Sequence, residues 1–287
     1  MTTPSTRATG TVLDRIVADR RERLAEDRRA VSEEALLDLA TTLPGQSVDF
    51  ASRLRQGRHA SPATAALRLI GEVKRASPSK GVFDADLDAA RQARRYAAAG
   101  ASAVSVLTEP TFFAGHIADL RAAREEFGDD LDRPALLRKD FLFDPYQVRE
   151  ARANGADALL LIVMMLEPAA LADLIALTHE EGLEALVEVH DESEVEAALA
   201  AGARVIGVNN RDLRDFREDL GTFERLARCV PAGTTLVAES SIHTAEDARR
   251  MAAAGAHAIL VGEALVRSGD VEAKAHELML VGERVAS

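Results

Sequence analysis

The chain has one cysteine, Cys229, and no tryptophan. A lone thiol excludes an internal disulfide and a cysteine-built metal centre, and it suits a reducing cytoplasm. No run approaches the roughly 18 consecutive apolar residues that a membrane span requires. The opening MTTPSTRATGTVLDRIV also lacks the apolar stretch of about 7 to 15 residues that marks a secretory leader. A soluble, cytoplasmic protein with no membrane partner is expected. Basic residues are in deficit: 35 Lys and Arg stand against 47 Asp and Glu, for a net charge of -12. Nucleic acid is therefore an unsuitable partner, because a phosphate backbone repels an acidic surface. A small anionic substrate would need a local cationic pocket. No GxGxxG follows the first strand-like run, which weakens a dinucleotide-binding reading. His243 and His257 are isolated, and Glu188 with His190 is too sparse for a metal site. His116 and His190 read as surface or helix-cap residues, and no metal is expected.

What is present is a long, apolar-rich chain. At 287 residues and 47% hydrophobic, it accommodates one barrel of about 250 residues with an extension, or two small domains. The first stretch, residues 1–60, differs from the remainder. It holds the arginine-rich segment LDRIVADRRERLAEDRR and a shorter helical pattern around EEALLDLA. Leu13, Ile16, Val17 and Leu24 fall on one helical face. The interleaved Asp14, Asp19, Glu22, Glu26 and Asp27 cancel most of the positive charge, which favours a capping helix over a membrane-surface helix.

From residue 61 to 287 a theme recurs. An Ala-rich helix ends at a glycine, and a short β-branched or leucine-rich run begins, as in YAAAGASAVSVLTE, ARANGADALLLIV, ALAAGARVIGVNN and MAAAGAHAILVGE. Each glycine sits where a helix C-terminus wants a left-handed residue, and each run has the length of a buried strand. Eight such runs are present: LRLIGEVK, AVSVLTE, ALLRKDF, ALLLIV, EALVEV, RVIGVN, TLVAES and AILVG. Eight βα units predict an α/β fold, a (β/α)8 TIM barrel with an N-terminal helical extension; an open doubly wound sheet is the alternative.

Strands buried on both faces should be apolar, so charges within them need a reason. Here they cluster at the C-terminal ends of the runs: Glu72 and Lys74, Lys139, Glu188, Asn209 and Arg211, and Glu239 with Ser240. That rim is where barrel enzymes carry their chemistry. Spacing of two puts Glu72 and Lys74 on one face, and Asn209 and Arg211 likewise. Lys139 and Arg138 must face opposite ways, and Lys139 is placed inward. A single such residue would read as a rim ion pair, whereas two lysines and three glutamates converging point to a site. AESSIHTAED and ILVGEALV offer small residues and Gly262 after the last two strands, where phosphate is commonly held. The competing reading is that Ser240, Ser241 and Thr244 cap the next helix.

The motifs GEVKRASPSKG (71–81), LTEPTFFAG, LLRKDF, ALVEVH, IGVNNRD and VAESSI, in this order, resemble those of the indole-3-glycerol phosphate synthase family over nearly the whole chain. The resemblance includes the VLDRIVADRR segment, similar to the family's extra helices over the active-site end. It implies a cofactor-free carboxy-lyase of tryptophan biosynthesis acting on 1-(2-carboxyphenylamino)-1-deoxyribulose 5-phosphate. It further implies Lys139 as principal general acid, Glu188 as acid/base partner and Lys74 as second essential cation, with Glu72 and Glu239 in the catalytic set. Asn209, Arg211, Ser240 and Phe141 would contact substrate, with Arg211 near its carboxylate. Ser77, Ser241, Gly262 and Glu263 would hold the phosphate. One departure is Ser241, where the family usually has glycine. A monomer or weak homo-oligomer is expected, and Cys229 should be an inert helix residue.

The chemistry sets demands on these groups. A ring carbon must attack a ketone, whose oxygen needs a proton donor; a lysine held among other cations in a partly dry pocket is expected to have a lowered pKa suited to that task. No redox step occurs, so neither nicotinamide nor flavin is required. A Schiff-base aldolase would use the same strand-end lysines as nucleophiles. Phosphoribosylanthranilate isomerase would need an early strand-end cysteine, and Cys229 is elsewhere. A non-catalytic barrel binding a phosphometabolite or scaffolding a partner would have no reason to keep buried charges.

Overall fold

A computed structural model describes residues 6–43, 46–78 and 80–282. Three helices come first, α1 (Val12–Ala30), α2 (Glu33–Thr41) and α3 (Phe50–Gln56). The strands are β1 (Arg68–Val73), β2 (Ala76–Ser77), β3 (Gly81–Val82), β4 (Ala103–Leu107), β5 (Ala135–Lys139), β6 (Ala158–Ile162), β7 (Glu184–Val189), β8 (Val205–Asn209), β9 (Thr235–Glu239) and β10 (Ala258–Val261). β1 and β4 to β10 pair in parallel and close into a barrel as β10 returns to β1. The open-sheet alternative is thereby set aside. The eight runs read from the sequence are these eight strands, while the count omitted the short antiparallel ribbon of β2 and β3.

The helices between strands are α4 (Ala89–Ala98), α5 (Pro110–Phe113), α6 (Ile117–Phe127), α7 (Pro145–Ala153), α8 (Pro168–Glu180), α9 (Glu192–Ala200), α10 (Gly221–Leu226), α11 (Ala245–Ala253), α12 (Glu263–Val266) and α13 (Val271–Leu278). Their starts are chemically marked: Asp88, Asp144, Asp191, Thr244 and Asp270 each accept a backbone N–H of the first turn, which satisfies donors a helix cannot pair internally. The repeated glycines follow the helix ends in left-handed conformation, Gly100, Gly155, Gly202 and Gly255 at φ between +86° and +97°. Helix, glycine and strand thus form one repeating unit, as their sequence pattern implied.

The extension grips the barrel at both ends. α1 buries Leu13, Ile16, Val17, Arg20 and Leu24, the face expected from its periodicity, and carries Leu13 and Ile16 over the C-terminal rim. α3 packs under the opposite end against β1, β4, β5 and β9 through Phe50 and Leu54. Arg55 Nε fixes it there by donating to Thr235 Oγ1, at the start of β9, at 2.8 Å. Not all of the leading helices therefore lie over the candidate site. Among the described residues no helix is long and apolar enough to cross a membrane.

Candidate active site

One cavity opens at the C-terminal ends of the strands, below α1. Every residue that the sequence reading assigned to catalysis, substrate or phosphate lines it: Lys74, Glu72, Lys139, Glu188 and Glu239; Asn209, Arg211, Ser240 and Phe141; Ser77, Ser241, Gly262 and Glu263. Closure of the barrel is the physical cause. Inward positions at the same height on separate strands can only meet at the axis. Arg138 points the other way, as parity required, donating to the Gln147 carbonyl at 2.8 Å and pairing with Glu150 at 2.7 Å on α7.

Lys139 stands between carboxylates rather than among cations. Its Nζ lies 3.5 Å from Glu188 Oε2 and 3.6 Å from Glu239 Oε2. Burial works to lower its pKa, but Glu188, Glu239 and Glu72 outweigh burial and raise it well above the ordinary lysine value. The expectation of a lowered lysine pKa is corrected accordingly: the group is held fully protonated. The three glutamates are legible on the rim; what the sequence leaves out is how close each comes to the amine once β1, β7 and β9 close around it.

The three carboxylates do not ionise alike. Burial pushes each upward, and the outcome depends on its neighbours. Glu188 is held below the ordinary value against that burial by Lys139 and His190. Glu239 is raised by burial and by the adjacent Glu188, and Lys139 only partly compensates. Glu72 is lowered against its burial by Lys74, with which it is ion-paired, and by Lys139. The cup thus contains two ionised carboxylates and one that keeps its proton longest. Two backbone devices make room for them. Gly207 on β8 leaves space that a Cβ would take from the Glu239 carboxylate, and Gly262 does the same beside Glu72.

The wall is completed by polar clamps. Asn209 Nδ2 donates to Glu188 Oε1 at 3.0 Å, and its Oδ1 accepts the Arg211 backbone N–H at 3.0 Å. The Arg211 guanidinium is paired with Glu218 at 2.6 Å, so an anion bound there competes with that carboxylate for it. Phe141 packs against Phe113, ring centroids 6.0 Å apart, and forms an apolar side. Lys80 Nζ holds Glu263 at 2.5 Å and lies 3.6 Å from Glu218. Lys80 and Glu218 escaped the sequence reading, and Leu13 and Ile16, read there only as the buried face of a capping helix, also line the cavity. Lys80 stands inside the quoted SPSKG segment, the one signal that pointed to it.

Ser240 and Ser241 both adopt left-handed backbone, at φ +63° and +64°. The helix-cap alternative belongs to Thr244, which caps α11 in a reciprocal pair with Asp247. The serines instead face the cavity, where Ser241 Oγ is buried without a hydrogen-bond partner. His116 occupies the cap position of α6, as expected. His190 is neither on the surface nor in a solvated cap: its side chain is 5% exposed, and Nε2 lies 3.2 Å from Glu188 Oε1. Cys229 ends an exposed 3-10 turn, Ala227–Cys229, before β9. Among the described residues no cluster of three or more His, Cys, Asp or Glu is arranged to hold a metal ion.

A closed parallel barrel with paired amines and carboxylates on its C-terminal rim defines a (β/α)8-barrel enzyme of the acid-base type. The particular family follows from comparison with known proteins. Residues 13–278 match the family model described as indole-3-glycerol phosphate synthase, and the chain belongs to that family, carboxy-lyases of tryptophan biosynthesis. The indole-3-glycerol phosphate synthase of Dehalococcoides mccartyi strain CBDB1 is 45% identical, over 93% of this chain and 100% of its own length. That of Roseiflexus sp. strain RS-1 is 47% identical, over 93% and 98%. A multifunctional tryptophan biosynthesis protein of Schizosaccharomyces pombe is 44% identical over 93% of this chain, which spans 35% of that longer protein. Among solved structures, 3-hexulose-6-phosphate synthase from Salmonella typhimurium superposes with a TM-score of 0.61 at 14% identity, covering 75% of this chain and 98% of the other. At that identity it shows the shared barrel alone.

Proposed function

We propose that this cavity closes the indole ring of 1-(2-carboxyphenylamino)-1-deoxyribulose 5-phosphate, releasing carbon dioxide and water, with Lys139 as the principal proton donor. The observation that carries the reading is the Lys139 amine set between Glu188 and Glu239 in a buried cup, in a chain of this family. As the carboxylate-bearing ring carbon attacks the ketone, charge develops on the ketone oxygen. A lysine kept fully protonated always has a proton to give, and a developing alkoxide is basic enough to take it. Loss of carbon dioxide then restores the aromatic ring. In the dehydration, Lys74 supplies the proton to the departing hydroxyl, and ionised Glu188 takes the proton shed as the pyrrole forms. Glu72 orients Lys74, and Glu239 shares Lys139.

Asn209, Ser240 and Phe141 bind the body of the substrate, and Arg211 takes its carboxylate by exchanging Glu218 for it. Ser77, Ser241 and Gly262 hold the phosphate. Glu263 contributes there through its backbone N–H, since its carboxylate is occupied by Lys80 and would repel an anion. Anchoring both ends folds the flexible substrate into reactive geometry, which contributes beyond proton transfer. We assign residues 1–60 to the extension and 61–287 to the catalytic barrel. The acidic surface supports a cytoplasmic monomer or weak homo-oligomer without a nucleic-acid partner.

The Schiff-base alternative is disfavoured, because an imine-forming lysine needs a depressed pKa and Lys139 has the opposite. The test is incubation with the arylamino ribulose phosphate while following indole fluorescence, against a chain that contains no tryptophan. Product emission is expected. A folded protein that yields none, or one that borohydride traps covalently with a sugar phosphate, contradicts the proposal.

A further inference from the structure

His190 follows β7, two residues beyond Glu188, and both of its ring nitrogens face carboxylate oxygens. Nε2 stands 3.2 Å from Glu188 Oε1, an ion-pair distance without hydrogen-bond alignment. Nδ1 stands 3.1 Å from Glu194 Oε2, which also accepts the His190 backbone N–H at 2.8 Å. A neutral imidazole has one N–H and one lone pair, so it would set a lone pair against one of these carboxylates. Only the imidazolium suits both.

The consequence falls on Glu188. Its Oε1 is engaged from behind by His190 and by Asn209. Its Oε2 has no hydrogen-bond partner and faces Lys139 at 3.5 Å. The carboxylate is held by its rear oxygen and left free in front. Glu239 shares Lys139 at nearly the same distance, so the two carboxylates compete for one cation. Glu188 alone has a second one.

We propose that His190 is a positioning residue: as an imidazolium it anchors the rear oxygen of Glu188 and keeps that carboxylate ionised, while Glu239 has only the Lys139 amine that the two share. This rests on the ring-closing reading above and assigns a residue which that reading does not use. The groups facing the ring are Glu188 on β7 and Glu194 on α9; those facing Glu188 are Lys139 from β5, Asn209 from β8 and Glu239 from β9, with Glu72 from β1 beside Glu239. In support, burial works to lower the His190 pKa, yet Glu188 and Glu194 overcome burial and raise it to about 10.

The test compares wild type, His190→Gln and His190→Lys. Loss of an opposite charge at this distance shifts a carboxylate by about one to three units. The acid limb of kcat/KM in His190→Gln should therefore move upward by that amount, with kcat changing more than KM. His190→Lys, which retains the charge, should return the limb toward its wild-type position. A merely structural role lowers activity evenly across pH, and that result, or an unmoved limb, overturns the proposal. Ring-nitrogen NMR of wild type labelled at its seven histidines gives an answer independent of the variants. An imidazolium at pH 8 is expected for His190, and a neutral ring there refutes its role. A wild-type protein that makes no indole product contradicts the functional reading instead, which keeps the two failures distinct.

Discussion

Arg20, on the first helix of the extension, reaches Asp140, the residue that follows Lys139, with Nε 3.4 Å from Oδ1. Both side chains are buried, and Asp140 is further fixed by Arg138, Thr108 and the Phe141 backbone N–H. Burial opposes ionisation of Asp140, and Arg20 with Arg138 prevails and lowers its pKa. A helix outside the barrel is thereby tied to the strand end that presents Lys139.

Removing that tie should affect both stability and turnover. Breaking one side of a buried pair costs about 3 to 5 kcal/mol, and Arg20→Ala is expected near the lower figure because Asp140 retains Arg138. Catalytic efficiency should fall as well, since α1 brings Leu13 and Ile16 over the cup. Thermal denaturation and steady-state kinetics on the same preparation check this. An Arg20→Ala protein as stable and active as wild type would show that α1 only rests on the barrel.

Glu239 gives a pH-dependent prediction. Its folded-state pKa lies above its unfolded value, so the protonated form supports the fold fully below the unfolded carboxyl value, and that support is lost as pH rises through the folded one. Glu239→Gln is neutral throughout. The variant should show little change in Tm near pH 5 and a growing advantage over wild type toward pH 9. Parallel melting curves across that range suffice, and a constant offset at every pH would remove the raised pKa from the account.

Much of this architecture is legible in the chain itself. Runs such as ALLLI and AILV are apolar throughout because both faces of a barrel strand are covered, and the Ala-rich helices end at glycines that need positive φ. Charges break these runs only at their ends, which locates the rim and therefore the candidate site. What stays hidden depends on closure. The distances that set Lys139 between Glu188 and Glu239 exist only in the closed barrel, and the fully buried carboxylate facing Arg20, Asp140, lies 120 residues away. His190 sits in EVHDESE, a segment that reads locally as a helix start, and nothing local shows its ring folding behind Glu188.

Ser241, at φ +64°, tests a strained position in the cavity wall. A left-handed non-glycine residue costs about 1 to 2 kcal/mol, against about 0.5 to 1 kcal/mol for the greater chain entropy of glycine. Its buried Oγ also lacks a partner. Ser241→Gly should therefore raise stability by up to about 1 kcal/mol, read as a small rise in the denaturant midpoint. A lower midpoint would mean that the hydroxyl makes a stabilising contact.

The most direct test of the central claim is kcat/KM of Lys139→Ala for the arylamino ribulose phosphate, measured on protein whose circular dichroism matches wild type. A positioned acid contributes about a hundred- to ten-thousandfold, and a loss of at least that size is expected with the fold retained. A folded Lys139→Ala protein that closes the ring at the wild-type rate would contradict the account.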